Sequence, residues 1–161
     1  MTTKIIAIDG FGGEGKSMLA ADVGRERAGV VLHTDDFASW EKPLDWWPRV
    51  LRQVLQPLGD NQTGRYQRYD WASRELAEWH EVVPGGLLIL EGVSSSRAAF
   101  RPYLAYSLWV DTDPDVRITR GLERDGVQAH QQWLQWMAEE NDWANREAPK
   151  DHVALVIPGN G

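Results

Sequence analysis

The chain has 161 residues, enough for one domain with a single substantial core and too few for a separate regulatory module. Its formal net charge is −7 and it has no cysteine, which excludes disulfides and thiolate metal sites and argues against nucleic acid or anionic lipid as partners. No apolar run approaches the roughly 18 residues of a membrane span, and the N-terminus lacks the apolar region of a signal peptide, so we expect a cytoplasmic protein.

Five short apolar runs alternate with longer helical patterns, which predicts an α/β fold: a mostly parallel five-stranded sheet in a three-layer α/β/α sandwich. The predicted strands cover residues 4–9, 30–34, 86–90, 106–111 and 153–157. The predicted helices cover residues 16–27, 46–55, 73–82, 114–124 and 129–146. The fourth helix opens well because Asp113 suits the N-cap and Pro114 the first helical position. Residues 1–161 are expected to form one domain.

A glycine-rich run follows the first predicted strand and fits the pattern G-x-x-x-x-G-K-S/T. The glycines let backbone N–H groups turn toward phosphate oxygens, while Lys16 brings a positive charge to the β- and γ-phosphates and Ser17 offers a hydroxyl to Mg²⁺. This pattern predicts a nucleoside triphosphate site. The residues expected to bind the nucleotide are Gly10, Gly12, Gly13, Glu14, Gly15, Lys16, Ser17 and Met18.

Carboxylates follow the second and third predicted strands, and ligands of open α/β sheets bind beyond these carboxyl ends. Asp35 and Asp36 come after the second strand, and Glu91 after the third. Glu91 is placed to organise Mg²⁺ together with Ser17, and Asp35 can join this metal site. Asp35 is also our candidate for the base that accepts the proton of an acceptor hydroxyl. Asp36 remains open as a substrate contact, a cap or a metal ligand.

Three arginines in the fourth predicted helix, Arg117, Arg120 and Arg124, share one face at spacings of three and four residues. They either pair with local acids such as Asp113 and Glu123 or close over a transferring phosphate as a lid. The loop-like sequence that follows at residues 125–126 favours the lid, in which Arg120 and Arg124 would be catalytic.

Residues 64–71 mix aromatic rings, cations and an acid without clear periodicity. They are expected to form either a surface loop or a pocket for a polar, ring-bearing small molecule. The candidate substrate contacts are Asp36, Phe37, Arg68, Tyr69 and Trp71.

Nine tryptophans are the compositional peculiarity of the chain. Those at helical spacing near the C-terminus are expected to pack in the core, namely Trp133, Trp136 and Trp143. For those in loop-like or helix-start sequence, packing and pocket lining remain equally open, namely Trp40, Trp46, Trp47 and Trp71.

Together these elements resemble the uridine kinase-like branch of P-loop small-molecule kinases, which also includes phosphoribulokinase, pantothenate kinase and nicotinamide riboside kinase. Residues 10–17 correspond to its Walker A motif, and residues 33–37 look like its D-x-F element, in which the first acid, Asp35, accepts the proton. Glu91-Gly92 looks like its Mg²⁺-associated E-G element, and residues 120–125 resemble its R-x-x-R-D lid. The resemblance implies a sheet ordered 2-3-1-4-5 and ATP as the phosphate donor.

The sequence thus predicts an ATP- and Mg²⁺-dependent kinase that phosphorylates a hydroxyl of a small, ring-bearing acceptor, as a monomer or homodimer. One alternative is a nucleoside monophosphate kinase in which Arg65 and Arg68 clamp the acceptor phosphate. The other is a nucleotide-binding switch or slow NTPase without a small-molecule acceptor. Against a GTPase stands the lack of an N-K-x-D sequence.

Overall fold

The computed structural model describes residues 2–11, 15–39 and 41–159 of the chain. Its main sheet has five parallel strands in the spatial order β2-β5-β1-β6-β7. Counted along the chain, these are the first to fifth strands in the order 2-3-1-4-5, so the predicted α/β sheet is confirmed. The strands are β1 (Lys4–Asp9), β2 (Val30–His33), β5 (Leu87–Glu91), β6 (Tyr106–Asp111) and β7 (Leu155–Pro158).

The helices connect these strands and cover the sheet. Helix α1 (Lys16–Arg27) follows β1, and α2 (Trp47–Val50) continues through a π-helical turn (Leu51–Leu55) into α3 (Gln56–Gly59). Helices α4 (Pro114–Asp125) and α5 (His130–Glu147) lie between β6 and β7. The Asp113 side chain accepts a hydrogen bond from the backbone N–H of Asp115 at 2.9 Å, which confirms the predicted cap of α4.

Strand residues alternate between the two faces of the sheet, and both faces are buried, as three layers require. On one face, Ile8, Ile89 and Val110 pack against Ala20 and neighbouring residues of α1. On the other face a larger cluster combines strand residues with the α2–α3 segment and aromatic rings, including Leu32, Leu88, Leu90, Val50, Val54, Phe37, Trp46 and Phe100.

The predicted helix over residues 73–82 is wrong. This segment is strand β4 (Glu75–Val82), paired antiparallel with β3 (Gly64–Asp70) as a separate two-stranded sheet. Its Glu, Leu and Ala residues favour a helix intrinsically, but contacts between the strands decide the outcome. Tyr66 stacks on His80 at 5.3 Å between ring centroids, and Arg68 pairs with Glu78 at 2.5 Å.

In the part of the chain that the structure describes, no helix combines the length and the apolar character needed to cross a lipid bilayer.

Candidate active site

A cavity of about 550 Å³ lies at the carboxyl ends of β1, β2 and β5. Its walls come from the start of α1, the segments after β2 and β5, the turn between β3 and β4, and helices α4 and α5. The charged and hydroxyl-bearing residues that line it are Lys16, Ser17, Asp35, Glu91, Arg120, Arg124 and Asp125. The sheet therefore brings together the phosphate-binding, acidic and lid residues that the sequence predicted separately.

The phosphate loop ends at Gly15, which has a left-handed φ of 81° and leads directly into α1. Among the described residues, no side chain caps the N-terminus of α1, so its first N–H groups are available to an anion. Lys16 is buried, and its Nζ donates to the backbone oxygen of Phe11 at 2.6 Å, which holds the amine over the loop. Gly12, Gly13 and Glu14, expected to bind phosphate, lie outside the described residues.

Two other residues expected to bind the nucleotide, Gly10 and Met18, differ in their exposure. Gly10 is buried at the end of β1, where its N–H donates to the Asp9 carboxylate at 2.7 Å. Met18 lines the cavity and is largely exposed.

Glu91 links the end of β5 to α1 and β2. Its Oε1 accepts a hydrogen bond from the Ser17 hydroxyl at 3.2 Å, and its Oε2 lies 2.5 Å from Nδ1 of His33. The carboxylate is buried, and electrostatic attraction to it raises the pKa of His33, chiefly through this hydrogen bond. Gly92 follows with φ +136°, and a side chain there would collide with Thr34, since an added Cβ would lie 1.9 Å from its hydroxyl oxygen.

The residues present suit a Mg²⁺ site. The hydroxyl of Ser17 and the carboxylate of Glu91 are hard oxygen donors, and they lie next to each other at the N-terminus of α1. Mg²⁺ keeps several water ligands and needs few protein ligands, so the pair is sufficient. Within the described part of the chain, no cluster of three or more histidine, cysteine, aspartate or glutamate side chains that could hold a metal ion occurs.

The structure separates the two neighbouring aspartates. Asp35 opens into the cavity from the short 3₁₀ turn after β2, whereas Asp36 accepts a 3.4 Å hydrogen bond from the Tyr66 hydroxyl of the hairpin. Desolvation by the surrounding protein raises the pKa of Asp35, although the residue is exposed at the cavity surface, and the nearby Glu91 carboxylate raises it further against the opposing charge of Lys16. Burial raises the pKa of Asp36 as well, so position distinguishes the two acids: Asp35 lines the cavity and Asp36 does not.

The three arginines of α4 do not all face the cavity. Arg120 and Arg124 line the cavity, and an N–H of Arg120 donates to the backbone oxygen of Gly159 at 3.1 Å. Arg117 is buried instead, where it lies 3.7 Å from Glu140 of α5 and 4.7 Å above the ring of Phe11. Only two of the three arginines of α4 therefore line the cavity.

One wall of the cavity is aromatic. Trp71, in the turn after β3, stacks on Trp136 of α5 at 5.8 Å, and Trp133 lines the wall beside them. The Nε1–H of Trp71 also donates to the backbone oxygen of Asp35 at 2.8 Å. Trp133 is buried, as expected, and also lines the cavity, whereas Trp136 is only partly buried at the cavity wall, because α5 faces the cavity along part of its length.

The other tryptophans have different roles. Trp143 packs against Trp109 in the core, as expected, and Trp46 is buried in the cluster below the hairpin. Trp47 is partly buried against the same cluster. Trp40 lies outside the described residues.

Of the five expected substrate contacts, all of which the structure describes, Trp71 alone lines the cavity. Phe37 is buried in the core against Trp46 and Tyr66, so the expectation that it touches the substrate was wrong. Arg68 forms ion pairs with Glu78 and Asp70 on the hairpin. Tyr69 makes an edge-to-face contact with Trp71, with 5.7 Å between the ring centroids, and does not line the cavity. Asp36 is turned to Tyr66 as described above.

Two further residues were missed by reasoning from the sequence. His33 lacks any metal-ligand spacing to another histidine, but its place at the end of β2, directly before the two aspartates, is a usable signal. Asp9 is fully buried and accepts hydrogen bonds from the backbone N–H groups of Gly10, Ser94 and Ser96. It thereby ties the phosphate loop to the turn that follows Glu91.

No protein-family model matches the chain. A uridine kinase of Alkaliphilus metalliredigens is 31% identical over 103 residues, which cover 63% of this chain and half of that relative's length. A uridine kinase of Borrelia duttonii is 24% identical over 181 aligned positions, covering 98% of this chain and 87% of the relative.

Solved structures agree with these relatives on the fold. The structure of a possible uridine kinase from Bacillus stearothermophilus matches with a TM-score of 0.73 at 18% identity, covering 98% of this chain and 89% of that one. Phosphoribulokinase from Rhodobacter spheroides matches with a TM-score of 0.55 at 15% identity, covering 76% of this chain and 56% of that one. The resemblance to uridine kinase-like P-loop kinases is confirmed, and the fold is that of P-loop kinases.

Proposed function

We propose that the chain is an ATP- and Mg²⁺-dependent phosphotransferase that moves the γ-phosphate of ATP to a hydroxyl of a small, ring-bearing metabolite. The observation that carries this proposal is the convergence on one cavity of Lys16, the Ser17–Glu91 pair, Asp35, and the arginines of α4. A binding module does not require a proton-accepting carboxylate beside a phosphate loop, whereas phosphoryl transfer to an alcohol does require one.

Each residue has a defined part in this reaction. The N–H groups at the start of α1 and the amine of Lys16 would bind the phosphates, and Ser17 and Glu91 would hold Mg²⁺. When bound, Mg²⁺ neutralises charge on the phosphate oxygens. The Asp35 carboxylate would accept the proton of the acceptor hydroxyl while the oxygen of that hydroxyl attacks the γ-phosphorus. ADP would then leave with the electron pair of the broken P–O bond. Arg120 and Arg124 would stabilise the negative charge that spreads over the transferred group.

The aromatic wall indicates what the acceptor carries. The indoles of Trp71 and Trp136 lie on the side of the cavity where Asp35 opens, so a ring held against them brings a nearby hydroxyl to the carboxylate. Because the relatives named above are uridine kinases, nucleosides are the first acceptors to test.

The monophosphate-kinase alternative gains little from the structure. Arg65 lies over Trp79 at 5.2 Å and near Glu81 at 3.8 Å, while Arg68 is held by Glu78 at 2.5 Å. Both guanidinium groups are engaged on the hairpin, so a phosphate clamp would need these contacts to break.

The test is ATP consumption with Mg²⁺ against a panel of nucleosides, nucleoside monophosphates, vitamins and sugars, with mass detection of products. We expect a phosphorylated nucleoside or similar ring-bearing alcohol. Asp35→Asn should lower kcat by about 10²- to 10⁴-fold, the usual size of a general-base contribution, without weakening ATP binding. Asp36→Asn is the matched variant, and a larger loss there than in Asp35→Asn would reassign the base. ADP formation without any product would favour the nucleotide switch.

A further inference from the structure

His33 and Glu91 occupy equivalent places in neighbouring strands. They are the last residues of β2 and β5, and the parallel pairing sets them directly opposite each other. Side chains of paired residues project to the same face of a sheet, so the imidazole and the carboxylate meet as a consequence of the fold. Their contact, 2.5 Å between Nδ1 and Oε2, is therefore built into the strand register.

The Glu91 carboxylate is held by both of its oxygens. His33 lies on one side, and the Ser17 hydroxyl donates to Oε1 on the other. The carboxylate is 7% exposed and the imidazole 45%, so His33 forms the outer support of a buried acid. A glutamate side chain has three rotatable bonds, and a fixed partner on Oε2 is what keeps Oε1 directed at Ser17.

We propose that His33 is a positioning residue that orients Glu91 toward Ser17 for Mg²⁺ binding, an inference that rests on the proposed function. The imidazole acts through its Nδ1–H, which donates to the carboxylate without touching the metal or the substrate. Partners of this kind fix the direction of a ligating group, and their loss typically weakens metal affinity about 10- to 100-fold.

Two amide variants separate the hydrogen bond from the bulk of the side chain. In His33→Asn the amide nitrogen takes nearly the place of Nδ1, so the donor to Oε2 is retained. In His33→Gln the amide nitrogen takes nearly the place of Nε2, and the donor no longer faces Glu91. His80→Ala is the matched control, because it removes a similar histidine–glutamate contact of 2.6 Å from the hairpin.

The experiment measures ADP binding by calorimetry, once in EDTA and once across a range of MgCl₂ concentrations. We expect Mg²⁺ to strengthen ADP binding to the wild-type protein. His33→Gln should need about 10- to 100-fold more Mg²⁺ for the same effect, while its ADP affinity in EDTA stays within about 2-fold of wild type. His33→Asn should stay within about 5-fold of the wild type in its Mg²⁺ requirement. The control His80→Ala should have the same Mg²⁺ requirement as the wild type.

The results that would overturn the inference are distinct from failure of the proposed function. A wild-type Mg²⁺ dependence that persists unchanged in His33→Gln would show that His33 does not position Glu91. Equal losses in His33→Gln and His33→Asn would show that the donor at Nδ1 is not what matters. If the ADP affinity of the wild-type protein did not change with Mg²⁺ concentration, the metal site of the proposed function would be overturned, and this inference with it.

Discussion

The indole of Trp71 is bonded to the main chain of Asp35, its Nε1–H donating to the backbone oxygen at 2.8 Å. The same indole stacks on Trp136 at 5.8 Å, with 27° between the ring planes. The turn of the hairpin is thus joined both to the proposed base and to α5. In the proposed function, this single side chain would have two separable roles, orienting Asp35 and contacting the ring of the acceptor.

Two substitutions of Trp71 should separate these functions. Trp71→Phe keeps a ring against Trp136 but loses the hydrogen bond, so we expect kcat to fall about 2- to 10-fold, as for one net hydrogen bond, with little change in acceptor KM. Trp71→Leu removes the ring as well and should raise acceptor KM about 10-fold or more. Steady-state kinetics with the identified acceptor measure both effects. Identical kinetics for the two variants would contradict this division.

The pH dependence of kcat should reflect the environment of Asp35. Burial and the Glu91 carboxylate raise its pKa above the ordinary 3.8 of an aspartate. The base acts as a carboxylate and a raised pKa keeps the proton bound to higher pH, so activity should be lost as pH falls through the raised value. The acid limb therefore lies above the pH at which an aspartate free in water titrates. Tryptophan emission recorded at each pH verifies that the protein is still folded.

Arg124 provides an internal check on that assignment. Its positive charge lowers the pKa of Asp35, in opposition to burial and Glu91. Arg124→Gln should therefore move the acid limb of the pH profile to higher pH, besides lowering kcat. An acid limb that stays in place in this variant would show that another group controls it.

The strand pattern carried most of the information about the fold. Strands β1 and β6 have the bounds that the sequence predicted, since their apolar runs are buried on both faces and end sharply at Asp9 and Asp111. The hairpin was missed because residues 75–82 are mostly exposed and lack the alternation of a half-buried strand. Contacts between side chains of β3 and β4 stabilise the two strands of the hairpin. Because each contact joins two separate segments of the chain, neither segment alone reveals it.

The residues of the candidate site could be predicted where their position next to a strand also determines their position in the fold. Lys16 and Asp35 follow strands of the sheet and Glu91 ends one, so the topology alone brings them together. The acceptor side depends on how the hairpin turn meets α5, and no spacing in the sequence encodes the contact between Trp71 and Trp136. Arg117 was misplaced for the same reason, since its partner Glu140 belongs to another helix.

Arg120 should be important for ATP binding. It reaches across from α4 to the backbone oxygen of Gly159, and its guanidinium lies 3.8 Å from the position that a side chain at Gly15 would occupy. Arg120→Ala should raise the KM for ATP about 10- to 100-fold, as for loss of a hydrogen bond to a charged group, and Arg120→Lys should restore only part of this. Arg25→Ala, on the exposed side of α1, is the control. An unchanged KM in Arg120→Ala would remove this residue from the nucleotide site.

The buried pair of Arg117 and Glu140 should determine stability. Their side chains are 3% and 0% exposed and lie 3.7 Å apart, joining α4 to α5 beneath Phe11 of the phosphate loop. Glu140→Leu leaves a buried positive charge without its carboxylate and should lower the free energy of unfolding by about 3–5 kcal/mol.

A second substitution tests whether the unbalanced charge is the cause. Because a buried ion pair contributes little net stability over apolar residues of similar size, Arg117→Met combined with Glu140→Leu should recover most of the loss. Urea denaturation followed by circular dichroism measures both variants and the control Asp142→Ala, which breaks the exposed pair with Arg146 and should change the free energy of unfolding little. If the double variant were no more stable than Glu140→Leu, packing around Phe11, and not removal of the carboxylate opposite Arg117, would account for the loss.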